Sequence, residues 1–403
     1  MSAAVQDELA PIPFSRTVIT EAARNAAARV MESGWVTTGP EVTAFETELA
    51  EWVGADYAVG VSSCTAAIEI AVRALRLPPN SRVLTSTITF CGAIHAIVHA
   101  GHRPVLVDVD DATLMPSPET IARAARSGAD GFVALHYAGH GTPLREVADA
   151  AGLPMSRVVE DAAHALGTEI GGSRVGSFSA ATCFSFYATK NLPIGEGGMI
   201  TTNDANIAER ARRLRIHGMT ADAWKRYLPG GNWRYSVAED GIKANMTDVQ
   251  AAIGRVHLKE FEGWQRRREM LAAAYDAGLA GIPGIRLPAR PDADSRHAWH
   301  LYVIRVQPEY GMSRDAVMAR LGELGIYCSV HFIPNHTQPY FGRFLDVHAR
   351  FPVADRAFDE ILSLPFYHSL TTAEIDRVCD AIRAASPARE QHRSAIRKAE
   401  VVA

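Results

Sequence analysis

The sequence predicts an α/β protein, with a large domain on a mostly parallel sheet of about seven strands and a smaller C-terminal α/β domain. Three observations predict it. Strand-like runs fall near 57–62, 82–87, 103–108, 131–136, 157–161, 182–187 and 197–202, and helical windows separate most of them. That alternation belongs to a parallel sheet covered on both faces. Next, Thr247-x-x-Gln250 reads as a capping box opening a long helix through Val256, Phe261 and Trp264, taken as the bridge between the domains. Beyond it, strand candidates recur at 298–306 and 326–332, with helices at 314–323, 353–362 and 372–384. Thr371-x-x-Glu374 caps the last of these. The expected division is 1–255 for the large domain, 256–388 for the small one and 389–403 for a charged tail.

Taken in order, several strands end in chemistry. The run at 57–62 gives way to Ser62-Ser63-Cys64-Thr65-Ala66, then to a helix with Ile68, Val72 and Leu75 on one face. Free amides and the helix dipole at such an N-terminus suit a dianionic phosphate, although an ordinary Ser/Thr N-cap needs no ligand. Past the run at 82–87 stands Phe90, a ring able to stack on a flat cofactor or to fill core. The β-branched run at 157–161 ends in Asp161, followed by Ala162-Ala163-His164. Ligands of parallel sheets lie beyond the carboxyl ends of the strands, where Asp161 can hold a pyridine nitrogen protonated or simply cap the next helix. His164 packs under such a ring, meets substrate, or is a satisfied buried histidine. Gly171-Gly172 marks a tight hairpin.

The run Phe184-Ser185-Phe186-Tyr187-Ala188-Thr189-Lys190 carries most of the information. An amine at a strand end among apolar and hydroxyl residues is poorly solvated. Its pKa falls, and Lys190 becomes a candidate Schiff-base nucleophile, against the plain alternative of a solvated surface lysine. Ser185 can add a hydroxyl to the phosphate cradle. The glycines of Gly195-Glu196-Gly197-Gly198 precede a strand, where a phosphate-binding or dinucleotide-binding loop needs a helix.

Length and composition agree with this frame. At 403 residues, 47% apolar and 21% charged, the chain reads as an ordinary globular protein with ample core. A net charge of −4 gives no sign of a nucleic-acid partner, and no apolar run approaches a membrane span. Five cysteines without paired spacing argue for a reducing cytoplasm and against a disulfide framework or metal site. The segment from Met1 to Leu9 lacks an apolar signal core. Basic residues gather at Arg266-Arg267-Arg268 and in the tail, where acidic neighbours dilute them.

In order and spacing, these motifs resemble the fold-type I, pyridoxal-phosphate-dependent sugar aminotransferases of the DegT/DnrJ/EryC1/StrS group. The resemblance runs from Gly34-Trp35-Val36-Thr37-Thr38-Gly39-Pro40 to Ser363-Leu364-Pro365. It takes in Glu160-Asp161-Ala162-Ala163-His164-Ala165, the stretch from Ser185 to Lys190, and Gly195-Glu196-Gly197-Gly198. Further on come His217-Gly218, Gly241-Ile242-Lys243-Ala244-Asn245-Met246 and Val330-His331-Phe332. It implies that Lys190 bonds pyridoxal phosphate and shuttles a proton, and that Asp161 pairs with the pyridine nitrogen. By the same resemblance Phe90 and His164 border the ring, and Thr65, Ala66 and Ser185 hold the phosphate. It also implies a homodimer with shared active sites, in which Asn245 reaches the neighbouring subunit's phosphate. Trp35, Thr37, His217 and His331 are its candidate substrate contacts, each with a packing or interface alternative.

The resemblance further implies L-glutamate as amino donor and a nucleotide-linked keto sugar as acceptor. Many relatives acting at sugar C3 carry glutamine in place of His164 and read Gly-Tyr-Asn-Tyr-Arg-Met in place of Gly-Ile-Lys-Ala-Asn-Met. Histidine and the Lys-x-Asn pattern look more like the branch that aminates C4 of 4-keto-6-deoxyhexoses. The alternatives are a C3 keto-sugar or keto-inositol aminotransferase, or a catalytically silent binding or regulatory member.

Overall fold

The structure, a computed structural model, describes residues 10–220, 234–345 and 348–386. The tail expected at 389–403 lies outside the described residues. The chain opens with helices α1 (Glu21–Ser33) and α2 (Pro40–Val53), then alternates β1 (Tyr57–Val61), α3 (Cys64–Ala74), β2 (Arg82–Ser86), α4 (Cys91–His99) and β3 (Arg103–Val107). It continues through α5 (Pro118–Ala124), β4 (Gly131–Leu135), α6 (Leu144–Ala150) and β5 (Val158–Asp161). A small hairpin, β6 (Glu169–Ile170) and β7 (Ser173–Arg174), precedes β8 (Ala181–Ser185), β9 (Gly198–Thr202) and α7 (Ala205–Leu214).

These strands form a seven-stranded sheet in the order β1-β9-β8-β5-β4-β2-β3. β9 runs antiparallel to both neighbours, and every other pair in the row from β8 to β3 is parallel. Successive residues point to opposite faces, as the pleat requires. Cys183 and Ile200 therefore join the core beneath α3, α4 and α7, while Phe184 and Met199 join the core beneath α2 and the long helix. The hairpin turns at Gly171 and Gly172, both at positive φ (56° and 75°), which glycine adopts without steric cost.

The edge strand β1 is fixed by a buried ion pair. The Glu46 carboxylate accepts from the Gly60 amide at 2.7 Å and from Arg215, which also donates to the Gly60 carbonyl at 2.8 Å. Glu46→Ala strands the guanidinium in the interior, at an expected cost of about 3 kcal/mol. A lowered thermal midpoint in the variant would show it, and an unchanged midpoint would show that the pair adds nothing.

Helix α8 (Asp248–Leu279) opens on the Thr247/Gln250 capping box and spans 32 residues. Its buried face includes Phe261 in the large core and Leu271 and Tyr275 in the C-terminal core, so one rod serves both. The C-terminal part adds β10 (Ile285–Arg286), β11 (Tyr302–Val306), α9 (Arg314–Glu323), α10 (Pro352–Glu360), β12 (Ile361–Leu364) and α11 (Thr372–Ala385). Its sheet runs β10-β11-β12, all antiparallel.

Two sequence expectations differ here. The helix expected at 353–362 ends at Glu360, and the following buried run Ile361-Leu362-Ser363-Leu364 pairs with β11 instead. Once β12 takes that place, the backbone of the strand expected at 326–332 meets the sheet, among the described residues, only through the Ser329–Ser363 bridge. Ile12, from the start of the chain, bridges to Ile326 and lies in the C-terminal core. Among the described residues no helix is long and apolar enough to cross a membrane.

Candidate active site

A cavity of about 520 Å³ opens beyond the carboxyl ends of the parallel strands. Three strands end on it: Leu135 closes β4, Asp161 closes β5 and Ser185 closes β8, and all three line the wall. Two helices begin there. Ser63 caps α3, its hydroxyl taking the Ala66 amide at 3.1 Å, and Phe90 holds the N-cap position of α4. The first-turn amides of a helix lack intrahelical partners, so the start of α3 presents donors and positive potential to the cavity. Lys190 lies five residues past the end of β8, in a turn closed by its amide on the Tyr187 carbonyl at 2.9 Å.

The electrostatics follow from burial. The Lys190 amine is pulled down to about 8 by desolvation, against the pull of Cys64 and Asp161. Burial raises the Asp161 carboxyl, opposed by the Ala163 amide at 3.1 Å and by Lys190. His164 is held well below its ordinary value by burial and then by the Lys190 charge. Its Nδ1 accepts the Ala138 amide at 3.2 Å, which leaves Nε2 as the protonated nitrogen. Burial and then Lys190 bring His331 down to about 4, and its Nδ1 lies 2.9 Å from the Ser363 hydroxyl. The cavity thus holds one amine, the buried carboxyl of Asp161 and a set of neutral imidazoles, with Glu196 also on its wall.

Of the residues singled out in the sequence, the structure gathers Thr65, Phe90, Asp161, His164, Ser185, Lys190 and His331 around this cavity. Ala66 lies one residue behind Thr65, with its amide spent on the Ser63 cap. Trp35, Thr37, His217 and Asn245 do not line it. Asn245 bonds to Lys243 and, at 2.7 Å, to the Thr38 hydroxyl, while the Trp35 indole donates to the Thr38 carbonyl at 3.2 Å. His217 is exposed, and its amide donates to the Ile242 carbonyl at 3.0 Å. Phe14 and His300, which the sequence did not single out, also line the cavity, as do Glu196 and Phe332, which enter the resemblance only as motif residues without a role. His297-Ala298-Trp299-His300 is a cluster of ring residues at a strand start, but no spacing rule marks it.

The residues present fit pyridoxal phosphate. Thr65 and Ser185 supply hydroxyls beside the open amides of α3, Asp161 supplies a buried carboxylate for a cationic ring nitrogen, and Lys190 supplies an amine. The cradle is close-fitting: a Cβ on Gly198 would lie 2.5 Å from the Ser63 backbone, and one on Gly92 would lie 2.6 Å from the Thr65 hydroxyl.

Comparison with known proteins gives the same direction. A model of the DegT/DnrJ/EryC1/StrS aminotransferase family matches residues 17–383. The spore coat polysaccharide biosynthesis protein SpsC of Bacillus subtilis (strain 168) is 40% identical over 375 residues, 92% of this chain and 96% of that protein. The aminotransferase TlmJ from Streptoalloteichus hindustanus is 32% identical, with a TM-score of 0.83 over 93% of this chain and 98% of its own. Spr1654 from Streptococcus pneumoniae in its PLP-form is 27% identical, with a TM-score of 0.85 over 94% of this chain and 99% of its own.

Proposed function

We propose that this chain, which belongs to the DegT/DnrJ/EryC1/StrS aminotransferase family, aminates C4 of a nucleotide-linked 4-keto-6-deoxyhexose with L-glutamate as donor. It is a sugar aminotransferase, and pyridoxal phosphate is its cofactor. One observation carries the assignment of roles: Lys190, Asp161 and the start of α3 face a single cavity.

When bound, the cofactor supplies an electron sink for the carbon that loses its proton. The chain does the rest. The first-turn amides of α3 hold the phosphate together with the Thr65 and Ser185 hydroxyls. Asp161 keeps a proton on the ring nitrogen, and Phe90 and His164 fix the plane. Lys190 Nζ takes the proton from the α-carbon of the donor and, in the second half-reaction, delivers one to the sugar carbon that gains the amine. An amine near 8 is deprotonated often enough at neutral pH to act as that base.

His164 and the Lys243-x-Asn245 pattern support C4 as the reacting carbon. Asn245, off its own cavity and near the start of α8, supports a homodimer in which it reaches the neighbouring subunit's phosphate. Five cysteines, all free, support a cytoplasmic setting. The visible absorbance of the purified protein, before and after L-glutamate, tests the first half-reaction: the expected result is a cofactor band that bleaches. NMR of the aminated sugar then reads the carbon. Amine at C3, or on a cyclitol, would overturn the C4 assignment and leave the enzyme class standing.

A further inference from the structure

Residues 297–301 form a strap across the cavity wall, and nearly every backbone group in it is held. Gln265 donates to the His297 carbonyl at 3.0 Å, and Asn191 to the Ala298 carbonyl at 2.7 Å. The buried Arg268, which has no carboxylate partner among the described residues, donates to the Trp299 carbonyl at 2.9 Å. The Ala298 amide donates to Gly139, and the His300 and Leu301 amides to Ala138. Within this clamp Trp299 sits at φ 48°, a left-handed conformation that a bulky residue adopts only where its surroundings impose it. Such over-determined strain is an observation from which a local role can be inferred.

What the strap aims is His300. Its ring is buried, lines the cavity and lies 4.4 Å, centroid to centroid, from that of His164. Asn191 spends its amide nitrogen on Ala298, so its oxygen faces His300 Nδ1 at 3.1 Å and must accept. Nδ1 therefore carries the ring proton. Nε2 is left with a lone pair and no hydrogen-bond partner among the described residues. Asn191 is the residue after Lys190, so the same side chain ties the lysine's turn to the strap.

We propose that His300 is a positioning residue for Lys190: its Nε2 accepts a hydrogen bond from the Lys190 ammonium while the lysine holds the transferred proton. The proton stays on Lys190, and His300 remains neutral. This rests on the assignment of Lys190 as the proton carrier. The charged and titratable groups facing the pair are Cys64 and Asp161 on the lysine side, His164, His331 and Arg268 around His300, and Glu196 on the same cavity wall. Burial, Lys190, His164, Arg268 and His331 all hold the His300 imidazole in its neutral form.

The test uses the apoenzyme and its rate of pyridoxal phosphate capture as a function of pH, since only the neutral amine attacks an aldehyde. Wild type is expected to show a midpoint near 8. His300→Leu removes an acceptor of the ammonium, which favours the neutral amine, so the midpoint should move down by about one pH unit. His300→Gln, which keeps an acceptor oxygen, should restore it in part. In the holoenzyme the L-glutamate half-reaction should slow by roughly 10–100-fold in the leucine variant, with smaller loss in the glutamine variant. A residue that merely packs would not move the midpoint, so an unchanged midpoint in folded His300→Leu overturns the proposal. Should that variant not fold, Asn191→Leu, which keeps the ring but releases it, is expected to shift the midpoint the same way, and no shift overturns the proposal. A wild type that captures no pyridoxal phosphate would instead overturn the role of Lys190 itself.

Discussion

Lys190→Ala is expected to abolish amino transfer, with a loss of roughly 10⁴-fold or more and no loss of fold. The size follows from two proposed roles resting on one atom. Among the described residues Nζ is the only side-chain amine lining the cavity, and neither the imidazoles nor Asp161 can replace it. His164 and His300 are held well below their ordinary values and His331 near 4, so none takes up a proton readily at neutral pH. Asp161 is the carboxylate proposed for the ring nitrogen, and its Oδ1 already accepts the Ala163 amide. Fold should survive because the Lys190 side chain makes no hydrogen bond or ion pair among the described residues, and removal of a desolvated amine relieves a cost. The check is steady-state amination together with circular dichroism and a thermal melt. Normal turnover in a folded Lys190→Ala protein would sink the assignment of Lys190 as the proton carrier.

The legibility of this chain in its sequence tracks how local each feature is. The seven strands of the main sheet can be read within a residue or two because buried strands are short runs of apolar and β-branched residues between turn signals. Their order cannot. Nothing local says that β9 inserts between β1 and β8 against the direction of both. Ile361 and Leu362 read as the end of the helix expected at 353–362, and only pairing with β11 decides otherwise. The same division holds in the cavity. Asp161 and Lys190 stand out because a strand run leads up to each of them. His300 does not, because what gives it a direction is Asn191, 109 residues earlier in the chain. Trp35, Thr37, His217 and Asn245 entered through resemblance alone, and this chain places them away from its own cavity.

Asp161→Asn should leave cofactor capture intact and slow both half-reactions by roughly 10²–10³-fold. The amide is isosteric and keeps an oxygen for the Ala163 amide, now at 3.1 Å, so the strand end and the start of the following turn stay in place. What disappears is the negative charge. Burial alone raises the Asp161 carboxyl, and the ionised form is favoured by the Ala163 amide, Lys190 and His136. A cationic ring nitrogen in contact would add to those terms, so the carboxylate and the ring proton stabilise one another in a desolvated site where a charge pair is worth more than in water. An amide offers the ring nitrogen no charge, the proton leaves, and the carbon acid loses the sink for its electrons. Because Lys190 is untouched, covalent capture and the visible band it produces are retained, which separates this variant from Lys190→Ala. The informative comparison is the pH dependence of the half-reaction. With the carboxylate in place the ring proton should be held throughout the neutral range. With the amide, activity should rise as pH falls and the ring nitrogen is protonated from solvent. A variant with wild-type rate at neutral pH would show that Asp161 is a capping residue of the turn after β5 and not the partner of the ring.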